Sequence, residues 1–160
     1  MTSLDLLNSD FRDLLHSLCE EQVQFLVVGA YAVAYHGHPR TTGDMDIWVH
    51  ATPPNAERTW RALARFGAPL QALGVSQTDF ERVDMVVQIG VAPRRIDLLT
   101  GISGVAFADA WPQRVEVAWG SYRVAFLGLD DLLKNKRSTG RPKDSLDAVE
   151  LESRRRKSPG

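Results

Sequence analysis

The stretch Gly43-Asp44-Met45-Asp46-Ile47-Trp48-Val49 decides how the rest of the chain reads. It alternates polar and apolar residues, the period of a half-buried strand. Side chains at i and i+2 share a face of a strand, so Asp44 and Asp46 point one way and Met45 the other. Two carboxylates held that close repel when both are ionised, and a divalent cation relieves the repulsion. Ligands that are all oxygen suit Mg²⁺ or Mn²⁺, with water or phosphate filling the remaining positions. An Asp-x-Asp pair by itself fits an acid exposed at a strand end better than a metal site.

Working backwards, Phe25-Leu26-Val27-Val28 is a short, partly β-branched apolar run that reads as a buried strand and stops at Gly29. Ala30 to Tyr35 reads as a helix ending near Gly37 and Pro39. Gly29-Ala30 therefore stands at a strand-to-helix turn, where glycine allows close approach and the first helical N–H groups favour an anion such as phosphate. Further upstream, Phe11, Leu14, Leu15 and Leu18 fall at helical spacing behind a cap cluster, Asn8-Ser9-Asp10.

Working forwards, Thr52-Pro53 marks a helix start and Gly67 its end. Thr78 to Glu81 opens a short helical turn, and Met85 to Ile89 and Arg95 to Leu99 read as two strands. The second carries Asp97 in an apolar run, where an acid is costly without a partner. A third carboxylate there completes a two-metal site, and Asp97 is also placed to take the proton of an attacking hydroxyl. The other reading of Asp97 is a salt bridge to Arg94 or Arg95, and Arg95 shares its face. Phe107 to Trp111 is a short helical piece, and Val115–Trp119 and Tyr122–Phe126 form a hairpin about Gly120-Ser121. Leu129 to Ser138 is helical, Gly140 to Pro142 breaks it, and a last helix runs from Lys143 to about Arg155.

The quoted pieces, FLVVGAYAVAYHGHPRTTGDMDIWV (25–49), RRIDLLT (94–100) and FLGLDDLLKNKRSTGRPKDSLDAVEL (126–151), together resemble the DNA polymerase β-like nucleotidyltransferase superfamily. The resemblance is to its minimal bacterial members, which include AbiEii-like toxins and related uncharacterised proteins. It implies an α+β nucleotidyltransferase fold: one mixed or antiparallel sheet, helices beside it, and a C-terminal helical pair. It implies Asp44, Asp46 and Asp97 as ligands of Mg²⁺ or Mn²⁺, with Asp97 as base, and Gly29 and Ala30 at the phosphate turn. The family usually has Gly or Ser where this chain has Ala30, which offers only its backbone N–H. Arg40 and Thr42, in Arg40-Thr41-Thr42-Gly43, are phosphate- or base-binding candidates, or else part of a turn that orients the strand.

Lys134 and Arg137 lie three apart on one helical face and are candidates to neutralise phosphates, whereas Lys136 falls off that face. Arg141, Lys143, Asp144 and Asp147 resemble the family's C-terminal signature and read first as an ion-pair cluster joining the last two helices. His36 and His38 are not spaced to share a helical face, which argues against zinc. Trp48, Trp60, Trp111 and Trp119 read as core or rim residues, and Cys19, the one cysteine, as a small packing residue in a reducing setting.

Bulk properties set the remaining bounds. With 160 residues, 44% of them hydrophobic, the chain suffices for one globular domain, placed at 1–152. Residues 153–160 (SRRRKSPG) hold four of the 19 basic residues and are expected to form a basic, disordered tail. The body before them is net acidic, which disfavours a general nucleic-acid binder. No run is long and apolar enough to span a membrane and no secretory signal is apparent, so a cytoplasmic protein is expected. The expected activity is metal-dependent transfer of a nucleoside monophosphate from a nucleoside triphosphate to a hydroxyl of RNA, protein or a small molecule, with release of pyrophosphate. A toxin-like RNA modifier is one form of it. The alternative is a catalytically weak nucleotide- or partner-binding module on the same fold. Replacing Asp44 by Asn is expected to leave the metal-free melting point unchanged or raised.

Overall fold

The computed structural model describes residues 3–37 and 43–157. A single 3₁₀ turn (Ser3–Leu6) leads into α1 (Ser9–Glu20), whose first turn is capped by Asn8 Oδ1 accepting from Phe11 N at 3.0 Å. Then follow β1 (Phe25–Val28), α2 (Gly29–Tyr35), β2 (Met45–Val49) and α3 (Pro53–Phe66). Thr52 caps α3, proline opens it, and Gly67 closes it in the left-handed conformation (φ 92°). The short α4 (Leu70–Leu73) is an element the sequence reading did not anticipate, and it is followed by a 3₁₀ turn at Gln77–Glu81. β3 (Val86–Ile89), β4 (Ile96–Leu99) and α5 (Phe107–Ala110) come next. The hairpin β5 (Val115–Trp119) and β6 (Tyr122–Phe126) precedes α6 (Leu129–Ser138) and α7 (Pro142–Lys157).

The six strands form one mixed sheet in the order β3-β4-β2-β1-β6-β5. β2 pairs antiparallel with β1 and parallel with β4, and this register sets Asp46 opposite Val28 on one side and Asp97 on the other. Alternation along the strands feeds two cores. Val27, Met45, Ile47, Val49, Ile96 and Leu98 pack with Phe11, Leu14, Leu15 and Leu18 of α1 and Ala62 and Leu63 of α3. Leu26, Val28 and Trp48 pack on the other face with Ala32 and Val33 of α2, Leu132 and Leu133 of α6, and Ala148 and Leu151 of α7. Asp44 and Asp46 are in step with Trp48, so β2 turns its acids toward the face where α2, α6 and α7 lie. Asn55, almost wholly buried, fastens the far end of β2. Its amide donates to Gln24 O (3.1 Å) and His50 O (2.9 Å) and its oxygen accepts from Gln24 N (2.7 Å).

Helix α7 continues through Lys157, so the basic residues expected in a disordered tail from 153 sit on its last turns. The reason is ion pairing: Arg154 to Glu150 (3.1 Å), Arg156 to Glu152 (3.7 Å), and Arg155 to Asp130 of α6. Among the described residues, no helix is long and apolar enough to cross a membrane. The tryptophans are core and rim residues as read: Trp48 is buried, and Trp119 Nε1 donates to Asp5 Oδ1 at 2.9 Å. The Arg114 guanidinium stacks 4.0 Å over Trp111. Cys19 packs with its thiol pushed up to about 11 by burial and by Glu20, which makes it a poor nucleophile.

Candidate active site

The sheet register delivers the acids to one place. Asp46 and Asp97 are direct neighbours across β2 and β4, so two carboxyls face the same edge of the sheet side by side. Burial first, and the Asp97 charge second, push the Asp46 carboxyl up to about 6. Lys136 works against this, and Asp44 adds to it.

Gly29 shows how tightly the turn is built against this pair. Its φ is +65°, and a Cβ there would lie 2.2 Å from Asp46 Oδ2. Glycine is required at this position both by the left-handed backbone and by the carboxylate pressed against it. That packing was not legible in the sequence, where many strand-to-helix turns hold a glycine for steric reasons alone.

Asp44 joins the pair through an arginine. Arg95 Nε donates to Asp97 Oδ1 at 2.9 Å, and its Nη2 reaches Asp97 Oδ2 (3.2 Å) and Asp44 Oδ2 (3.1 Å). Its backbone N–H donates to Asp44 Oδ1 at 3.2 Å. The salt bridge that the sequence reading ranked below a metal role is thus formed, and it ties two of the three acids together. Arg95 is the main residue that reading underweighted, although its place two before Asp97 put it on the same face. Among the described residues, no three acidic, imidazole or thiol groups stand ready to enclose an ion.

A cleft of about 380 Å³ opens on this edge, lined by Gly29, Ala30, Asp46, Ser103, Asn135 and Lys136, with Thr139, Arg141 and Asp144 closing the far wall. Lys136 is buried and pairs with Asp144 (3.0 Å) and Asp147 (3.6 Å). Burial alone would raise the Asp144 carboxyl. Hydrogen bonds from Thr139 and Lys136, the Lys136 charge and the Arg141 guanidinium outweigh it and hold that carboxyl below its ordinary value. This is the ion-pair cluster expected between the last two helices, and it doubles as a wall of the cleft.

The two cations chosen from helical spacing are placed elsewhere. Lys134 is exposed and does not line the cleft, and Arg137 reaches Glu152 of α7 at 3.6 Å on the outer surface. The physical reason is the orientation of α6. Leu132, Leu133 and Lys136 face the sheet, so the face shared by Lys134 and Arg137 turns outward. Lys136, set aside because it falls off that face, is the lysine at the site. Arg40, Thr42 and His38 lie outside the described residues. His36 makes a 2.7 Å hydrogen bond with the Leu127 carbonyl, a packing role.

No family model matches the chain, and no curated protein matches it in sequence. Solved structures do. A Thermotoga maritima protein assigned as a nucleotidyltransferase superposes with a TM-score of 0.56 at 12% identity, over 92% of this chain and 96% of that one. The antibiotic-resistance factor ANT(2″)-Ia superposes with a TM-score of 0.51 at 11% identity, over 89% and 80%. This chain has the nucleotidyltransferase fold. The α+β architecture, the mixed sheet with helices beside it and the closing helical pair α6–α7 agree with the sequence expectation. At these identities the likeness concerns the fold.

Proposed function

We propose that the chain is a nucleotidyltransferase that uses Mg²⁺ or Mn²⁺ to move a nucleoside monophosphate from a nucleoside triphosphate to a hydroxyl, releasing pyrophosphate. One observation carries this reading: Asp46 and Asp97 face each other across β2 and β4, and Asp46 lines a cleft directly beside Gly29. An acid whose carboxyl burial and a neighbouring carboxylate push up to about 6 is a poor structural element. The two carboxylates would fit a divalent cation, whose charge would offset their repulsion.

Asp46 and Asp97 would hold the ion, with Asp44 joining when Arg95 releases it. When bound, Mg²⁺ or Mn²⁺ supplies charge neutralisation for the triphosphate and lowers the pKa of the attacking oxygen. The chain's own residues do the rest. The Gly29–Ala30 backbone lies open to the cleft and can donate to phosphate oxygens; Ala30 adds no hydroxyl donor. Asp97 is placed to accept the proton of the incoming hydroxyl. Lys136, held by Asp144 and Asp147, presents a fixed positive charge beside Asp46, where negative charge accumulates during transfer.

The acceptor reading shifts on one finding. The C-terminal arginines, the basic run of the chain best suited to RNA phosphates, are paired with Glu150, Glu152 and Asp130. A hydroxyl of a small molecule or of a protein is therefore the preferred acceptor.

The test is incubation of the purified chain with each of four α-labelled triphosphates, Mg²⁺ or Mn²⁺, and fractionated cell extract. Label should enter a protein or small-molecule fraction with wild type and not with Asp97→Asn. No transfer from any triphosphate leaves the binding-module reading, and release of inorganic phosphate instead of pyrophosphate identifies a phosphohydrolase.

A further inference from the structure

A single residue meets all four carboxylate oxygens of Asp44 and Asp97, three by hydrogen bonds and Asp44 Oδ2 by an ion pair. Arg95 reaches Asp97 Oδ1 and Oδ2 and Asp44 Oδ2 with its guanidinium, and Asp44 Oδ1 with its backbone N–H. These are the oxygens that the proposed function assigns to a divalent cation. A guanidinium and a divalent ion compete for the same oxygens and repel one another, so each weakens binding of the other. The Arg95 side chain is 32% exposed, against 13% for Asp97. It is reached from solvent and can leave without opening the core.

We propose that Arg95 is a resident counter-ion of the acidic site. It holds Asp44 and Asp97 in place, competes with the divalent cation for them, and passes to the phosphates of the nucleotide when cation and triphosphate arrive together. This rests on the metal-dependent reading given above. The backbone N–H bond to Asp44 keeps that carboxyl aimed at the site while the guanidinium moves. A triphosphate is the natural second partner, because its oxygens match the planar fork of arginine as well as a carboxylate does. The consequence is ordered loading: weak binding of the cation alone and stronger binding in company with nucleotide.

The experiment is a calorimetric Mn²⁺ titration of wild type, Arg95→Gln and Arg95→Lys, alone and with α,β-methylene-ATP. Circular dichroism confirms that each is folded. Without nucleotide, Arg95→Gln should bind Mn²⁺ roughly two- to fivefold more tightly than wild type, the weight of a part-exposed charged pair, with Arg95→Lys between them. The methylene analogue should strengthen Mn²⁺ binding more in wild type than in Arg95→Gln. Should the Gln variant fail to fold, the Lys variant decides by the same comparison with wild type. Equal or weaker Mn²⁺ binding by the variants, with wild type still binding, overturns the counter-ion role and leaves the metal site standing. If Mn²⁺ binds no variant and not wild type, with or without the analogue, the metal-dependent reading falls and takes the counter-ion role with it.

Discussion

Replacing Asp46 by Asn should make the metal-free protein more stable. The carboxyl stands at about 6 instead of its ordinary 3.8, mainly through burial and then through Asp97. At about 1.36 kcal/mol per pH unit, that difference sets an upper bound of about 3 kcal/mol on the cost of ionising Asp46 in the folded state. Asp46 is only partly buried and solvent screens its charge, so a gain of about 1–3 kcal/mol is expected. Asparagine has the same shape, so it respects the close contact with Gly29, and its amide can donate to Asp97 without borrowing a proton.

The pH dependence has a definite sign. A raised carboxyl binds its proton more tightly folded than unfolded, so the wild-type penalty is complete above about 6 and fades as pH falls toward 3.8. Thermal melts in EDTA should show Asp46→Asn higher by roughly 2–12 °C at pH 7.5, at about 2–4 °C per kcal/mol for a chain of this size. The gap should shrink to about a third by about pH 4.5 and close only below about 3.8. A variant that melts lower at pH 7.5, or a gap that does not change with pH, refutes the buried acid pair. The sequence alone pointed to Asp44→Asn for this effect. In the structure Asp44 is neutralised by Arg95, so its replacement removes an ion pair and should leave the metal-free melting point unchanged or lowered.

Gly29→Ala should cost on the order of 1–2 kcal/mol of backbone strain, seen in urea unfolding, and should abolish transfer because the new methyl must displace Asp46; retained activity would contradict the packing. Lys136→Met leaves Asp144 and Asp147 without their shared cation and should destabilise by about 3–5 kcal/mol in denaturant melts, with partial recovery when Asp144→Asn is added. Asp97→Asn should fold normally by circular dichroism and lose label transfer, since its replacement still accepts from Arg95 but cannot take a proton. Cys19, with its thiol near 11, should resist iodoacetamide at pH 8 in the native protein and react on unfolding; rapid native labelling would show the thiol to be accessible and ionised.

Much of this protein is written in local patterns. Period-2 alternation from Asp44 to Val49 placed the two acids on one face, Thr52-Pro53 and Gly67 bracketed α3, and Gly120-Ser121 marked the hairpin turn. These signals lie in neighbouring residues and depend on backbone preferences, so one strand of text is enough to read them. Other facts needed the fold. That Asp46 faces Asp97 across β2 and β4, and presses on Gly29, is a matter of register between segments far apart in the chain. That Lys136 enters the cleft while Lys134 and Arg137 turn outward depends on how α6 rolls against the sheet, which helical spacing leaves open. That Arg95 takes the carboxylate oxygens follows from close distances among charged groups, and a charge's partner is chosen by position in space, where Coulomb energy falls with separation, and not by separation along the chain.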